Sequence, residues 1–450
     1  MRLLRSFYAA VTVASLAMLM LASPARAASL IRDPDIEYAL GQLAAPLLKA
    51  AGLSPNRVKV LVINDSNLNA YVIDSDHIFI HSGLILRMER AAQLQSVIAH
   101  EAAHIAGGHL TRRRNNMANM RSVAGIGIAL AAATAAASGN VQAASGVGLG
   151  ISSSAARSFM AHTRDEESAA DNAGLRYMVR AGVDPKGALE VQSMFKGQET
   201  LSAARQDPYA RTHPLSRDRY RRLEAATAGL KGKVPDGDSD AARYWFDRAK
   251  GKLSAFQRAP KWTMRRAKES VSADITLMRQ AIAYHRQSKT SAALAALDRA
   301  IVMRPKDPYF MELKGQILIE RRQFRAAVGA YESAARMAPN NPLILAGLGR
   351  SLLALDTADA TRKALTVLEK SRARDYTNGN AMRDLGMAYA RLGNHGMASL
   401  AVAERHALRG RMKDAALHAN RAAGLLPQGS GAWQRAQDVI FAAKAASKRR

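Results

Sequence analysis

Cysteine is absent from all 450 residues. No disulfide can staple this fold and no thiolate can hold a metal, so any metal site must be built from nitrogen and oxygen. Aromatic residues make up only 5% of the chain, with 3 tryptophans, while alanine is abundant. That balance argues for closely packed helices rather than a β-sandwich. Acidic residues are also scarce, 37 against 65 Lys and Arg, for a net charge of +28. Such an excess fits nucleic acid, an anionic envelope surface, acidic partner patches or simply basic solvated helix faces. The 48% apolar content excludes global disorder, and the length allows two or three domains, each with its own core.

Residues 1–27 read as a secretory signal peptide. Arg2 and Arg5 precede an uncharged apolar stretch, and Ala25-Arg26-Ala27 forms an A-x-A cleavage site. An uncleaved membrane anchor is the alternative, and the lack of cysteine rules out lipid attachment at the site. The expectation is a mature chain beginning near Ala28 in a bacterial periplasm. Its charge is +25 once Arg2, Arg5 and Arg26 are removed. For an exported chain, an anionic envelope surface or acidic partners take precedence, and nucleic acid is set aside.

Apolar periodicity predicts a helix over 30–56, a buried strand at Val58–Ile63, short strands at Ala70–Ile73 and His77–Ile80, and a helix from Arg90 to Gly107. Residues 122–156 carry no charged side chain. Three readings fit that stretch: a helical hairpin lying over the active site as a lid, a membrane-contacting segment, or a span, for which about 20 strongly apolar residues are needed. Another helix is expected from Ser158 to Ala181, and Asp236-Gly237-Asp238-Ser239 marks a loop near the end of the first domain, taken as 28–260.

Past residue 270 the chain repeats itself. Pro305 and Pro339, like Gly315 and Gly349, recur at a spacing that fits a paired-helix unit, and Gly386 continues the series after a three-residue insertion placed at Asp356–Thr361. Small residues at a helix crossing and proline at the unit end resemble the tetratricopeptide repeat, with about four units expected in a domain over 271–430 and a basic C-terminal tail over 431–450. Stacked helix pairs form a concave surface suited to extended peptides. Residues 271–450 hold 29 Lys and Arg against 14 Asp and Glu, so acidic partners or plain solvation both fit.

The chemistry concentrates at VIAHEAAHIAGGH, residues 97–109. On a helix His100 and His104 sit about 40° apart on one face and can share an ion. Glu101, about 100° from His100, is placed to take a proton from a metal-bound water in an H-E-x-x-H arrangement. A metzincin signature would need a histidine at position 110, which is Leu110; His109 arrives one residue early. It reads as a bystander beyond a helix ended or bent by Gly107-Gly108. Downstream, Glu167 and Asp171 share a helix face at i, i+4; one can bind the metal while the other accepts a hydrogen bond from a ligand histidine.

Asn69-Ala70-Tyr71, His81-Ser82-Gly83-Leu84, Ala99-His100-Glu101-x-x-His104, Thr163-Arg164-x-x-Glu167-x-x-Ala170-Asp171 and Thr212-His213-Pro214 follow one another in an order that resembles the gluzincin family of HtpX-type and CAAX prenyl proteases. The resemblance implies a mainly α fold: a gluzincin-type metalloprotease domain with a small β element, followed by an α-solenoid of tetratricopeptide repeats. It also implies one zinc ion per chain on His100, His104 and Glu167, with Glu101 as general base. Asp171 would then support a ligand, and His213 would lie near the metal, stabilising an oxyanion or closing the open position. Arg219 and Asn69 are implied as supporting residues. Leader, protease and repeats together resemble the periplasmic branch of the family, implying an endopeptidase in outer-membrane protein quality control. Its implied partners are misassembled outer-membrane proteins or the β-barrel assembly machinery, with a possible outer-membrane association. A mainly non-proteolytic chaperone or scaffold acting through the repeats is the alternative.

Overall fold

The computed structural model describes residues 29–112, 164–202, 205–213 and 216–448. The leader and the uncharged stretch 122–156 lie outside the described residues. The N-terminal region begins with a strand, not with the expected helix: β1 (Ser29–Ile31) pairs antiparallel with β2 (Lys59–Asn64). Helix α1 (Pro34–Ala50) starts just after it, because Asp33 caps the backbone amides of Asp35 and Ile36 and proline occupies the first turn. Strands β3 (Ala70–Val72) and β4 (His77–His81) complete a four-stranded sheet in the order β1-β2-β4-β3, with β2 and β4 parallel. The inner residues of β2 are buried on both faces, as its unbroken apolar run predicts. Strand β3 is left at the edge.

Helices α2 (Ser82–Arg87) and α3 (Ala91–Ala106) follow, then α4 (residues 164–180), α5 (Lys186–Met194), α6 (Pro208–Thr212) and α7 (Arg217–Ala228). One core joins Leu40 and Leu47 of α1, Val62 and Ile80 of the sheet, Leu94 and Ile98 of α3 and Met178 of α4. Helix α3 is buried from Ala91 to His104, so its free backbone amides need a partner at the start. Arg90, the residue at the cap position, supplies none. Asp238 does: its carboxylate accepts from Ala91 N at 2.7 Å and Ala92 N at 3.0 Å. The loop that reads in sequence as a mere separator is therefore the cap of the helix that carries the motif.

Helix α8 (Asp240–Gln257) belongs to both halves: Phe246 and Leu253 enter the first core, while Ala255 enters the first core of the solenoid. After a short helix at Pro260–Ala267, five antiparallel helix pairs follow among the described residues, from Ala273 to Lys448. Gly315 and Gly349 sit where the pattern places them, at crossings. A Cβ at Gly315 would lie 2.5 Å from the Tyr331 ring, and one at Gly349 2.5 Å from Leu368. The extra residues after Gly349 lengthen the second helix of that pair, Ala358–Arg374, to 17 residues against 14 in Phe324–Met337. They are not confined to an inserted loop. The expected basic tail is also corrected: Gly431–Lys448 is a helix, with Ala436 and Ile440 packed on Leu400 and Ala403. No described helix is long and apolar enough to cross a membrane.

Candidate metal centre

Three elements converge on one point. Helix α3 presents His100 and His104, whose Nε2 atoms lie 3.1 Å apart. Helix α4 presents Glu167, with Oε2 3.2 Å from His100 Nε2 and Oε1 3.3 Å from His104 Nε2. The end of α6 presents His213, with Nδ1 2.9 Å from Glu167 Oε2 and 3.2 Å from His100 Nε2. All four side chains are buried, and their candidate ligand atoms lie within 4.8 Å of one another.

Each imidazole is aimed by a second contact. Asp171, one turn after Glu167, sets Oδ1 3.1 Å from His100 Nδ1 and is itself held by Arg219, Nε to Oδ2 at 2.5 Å and Nη2 to Oδ1 at 2.8 Å. A His100 Nδ1–H donated to Asp171 leaves Nε2 bare toward the cluster. His213 Nε2 lies 3.2 Å from the Ala70 carbonyl of β3; a proton donated there leaves its Nδ1 lone pair facing Glu167 and His100. Tyr209 stacks on the same ring, centroids 4.7 Å apart. Its backbone amide is tied to Leu68 O at 3.0 Å. Asn69, buried at the start of β3, accepts from Thr212 Oγ1 at 3.2 Å and offers its backbone carbonyl to His81 N at 2.9 Å.

His109 departs from the sequence reading. It is not a bystander but is buried, with Nδ1 2.8 Å from His104 Nδ1. Gly107 closes α3, Gly108 adopts φ +65, and the chain folds back so that the imidazole lies against Gly107, where a Cβ would stand 2.6 Å from Nε2. The metzincin ladder fails on spacing, as read, but this turn returns His109 to the outer side of His104. A His104 Nδ1–H donated to His109 keeps the Nε2 lone pair of His104 inward. Tyr209 and the Ala70 carbonyl were also missed, since neither carries a spacing signal of its own.

The electrostatics of the cluster favour positive charge at its centre. Burial opposes charge on His100, yet Asp171 and Glu167 raise its pKa to about 10. Burial pushes His104 down to about 3. Burial likewise opposes the Glu167 charge, but His213 and the two α3 imidazoles hold its carboxyl well below the usual range. With His100 deprotonated at Nε2, imidazole nitrogens around one ionised carboxylate would form a donor set that suits a divalent metal of the zinc type. Glu101 is fully buried beside it, Oε1 3.3 Å from His213 Nε2. In front lies a cavity of about 260 Å³ lined by Tyr71, Val72 and Ile73 of the edge strand region, with Glu101, His104, His109, Leu110 and His213.

Comparison with known proteins agrees with this arrangement. Residues 32–227 match peptidase family M48, and residues 278–342 and 312–362 match the tetratricopeptide repeat. The beta-barrel assembly-enhancing protease of Escherichia coli K12 is 22% identical over 394 residues, 86% of this chain and 79% of that protein. A Vibrio cholerae protein provisionally given the same name is 26% identical over 243 residues, so this chain spans 50% of that relative's length and matches over 50% of its own. Among solved structures, a MamA chain from Desulfovibrio magneticus RS-1 is 17% identical with a TM-score of 0.32, covering 38% of this chain and 97% of that one. That score is too low to carry a structural argument.

Proposed function

With residues 32–227 forming a peptidase family M48 metallopeptidase domain ahead of tetratricopeptide repeats, we propose that the chain is a zinc-dependent endopeptidase of the bacterial periplasm. Its substrates are outer-membrane proteins that fail in assembly, recruited directly or through the assembly machinery by the repeats. The convergence of His100, His104, Glu167 and His213 carries this reading. The relatives' names support the substrate class, and the N-terminal leader supports export.

His100, His104 and Glu167 would hold the metal. Zinc bound there supplies Lewis-acid polarisation of the scissile carbonyl and the attacking water. Glu101, anchored one residue from His100 on a fully buried helix, takes a proton from the water and returns it to the leaving amine. Asp171 and Arg219 keep His100 oriented, and His109 does the same for His104. The cavity along Tyr71–Ile73 admits an extended segment beside the edge of β3, whose outer side pairs with no other strand in the described sheet. His213, its Nδ1 2.9 Å from Glu167 Oε2, would either join the donor set or stabilise the developing oxyanion.

Metal analysis with a protease assay on wild type and Glu101→Gln tests the reading. Metal content stays equal while cleavage falls by at least about 10²-fold; equal cleavage overturns the mechanism. A Glu101→Gln chain that still restores envelope assembly in cells points instead to the scaffold role.

A further inference from the structure

A trough lies between the solenoid and the peptidase domain, away from the metal centre. One cavity of about 460 Å³ is walled by the start of α1, the end of α8 and the first helices of three successive repeats. A second of about 610 Å³ shares Arg32, Pro34 and Leu343 with it. Between the two halves, Arg32 pairs with Asp375 at 2.5 Å.

The first cavity has an unusual charge balance. Glu312, 6% exposed, lines it, and its Oε2 makes no hydrogen bond. The nearest cation, Lys252 Nζ, is 3.7 Å away and already engaged with Asp33 at 2.9 Å. Asp35 Oδ2, also buried without a hydrogen bond, lies 3.6 Å from the same ammonium. One ammonium therefore faces three carboxylates, of which Asp35 also meets Arg248 at 2.6 Å and Glu312 has no other cation within reach among the described residues. The arginines of the wall are committed elsewhere, Arg32 to Glu37 and Asp375 and Arg350 to Asp384. Burial raises Glu312 to about 8 even against Lys252. A dry carboxyl beside an open cavity therefore keeps its proton unless another cation enters to take that proton's place.

We propose that this cavity receives a lysine or arginine side chain from an extended polypeptide lying along the inner face of the solenoid. A metal ion fits less well, because among the described residues the donors that converge on one point are those of the histidine cluster. An extended chain fits the two adjoining cavities, and the exposed Asn380 on the wall offers an amide to its backbone. The exterior of the repeats is basic, so the selectivity runs opposite to what their composition suggests.

The test reads binding without cleavage, so a failed protease assay leaves it standing. Fluorescence anisotropy is measured on the full mature chain carrying Glu101→Gln. The probe is a dye-labelled, end-capped, unstructured peptide with one central lysine, compared with its norleucine and glutamate versions. The lysine peptide binds about tenfold tighter than the norleucine one, and Glu312→Gln abolishes that preference. Asn380→Lys, at an exposed rim position, weakens the lysine peptide several-fold while leaving the melting curve unchanged. If Glu312→Gln does not fold, Asn380→Lys decides alone. Equal binding of lysine and norleucine peptides, preference for glutamate, or a lysine preference untouched by these substitutions overturns the proposal.

Discussion

Two buried polar clusters in this chain are built to opposite ends. At the interface of the two halves, Arg248, fully buried, meets Asp35 at 2.6 Å and Asp307 at 2.5 Å, and its guanidinium lies 4.5 Å from the Phe310 ring centroid. That cluster fixes its cations by ion pairs within the chain and joins α1, α8 and the second helix pair of the solenoid. At the metal centre, by contrast, three imidazoles converge on one carboxylate. A cluster of ion pairs serves attachment. A cluster of converging donors serves chemistry, and it relies on Asp171, Arg219, His109 and the Ala70 carbonyl to aim it.

Substitutions can break this contrast, and the largest effect falls at the interface. Arg248→Ala strands buried carboxylates and lowers stability by about 3–5 kcal/mol, read by urea denaturation. His104→Ala in metal-stripped protein costs much less, since it relieves crowding. Equal losses would erase the distinction. His109→Ala weakens metal affinity about 10–100-fold by chelator competition, with partial recovery in His109→Asn; unchanged affinity would return His109 to the role of bystander. Asp238→Ala removes the cap of α3 and costs about 1 kcal/mol, with a matching drop in metal retention.

A pH slope in the interface cluster tests the same contrast. Glu312 is held above its ordinary 4.5, to about 8, by burial. Asp33 and Asp35 of α1 also favour its protonated form, whereas Lys252 of α8 opposes it. Between those values the unfolded chain releases this proton while the folded chain keeps it, so stability falls as pH rises from 4.5 toward 8 and levels off above. Thermal melts across that range show the decline in wild type and a flatter course in Glu312→Gln. A decline of the same steepness in both would assign it to other groups.

The metal side of this contrast is legible in sequence because metal chemistry demands fixed residue types at helical spacings. His100, His104, Glu167 and Asp171 are read from i, i+4 geometry, and the separate motifs bring in His213 and Arg219. The interface side is not legible. Arg248 and Lys252 look like any charges on an exposed helix, and only tertiary packing turns them inward. His109 illustrates the boundary between the two. Its spacing rules out one ligand pattern, but the turn at Gly107-Gly108 that returns it to His104 depends on where the chain goes next. The first strand was missed for a related reason: three residues of β1 acquire their identity from β2, not from any pattern of their own.

The carboxylate that caps α3 also gives the molecule an order of events. Asp238 lies 147 positions beyond the amide it receives, and Arg32 waits 343 positions for Asp375. A chain synthesised from its N-terminus presents His100 and Glu101 well before either contact can close. Long-range closure is slow, so the motif helix emerges uncapped and the peptidase domain comes out ahead of the solenoid it is fastened to. The motif helix is thus completed only once the residues leading into the solenoid have followed it.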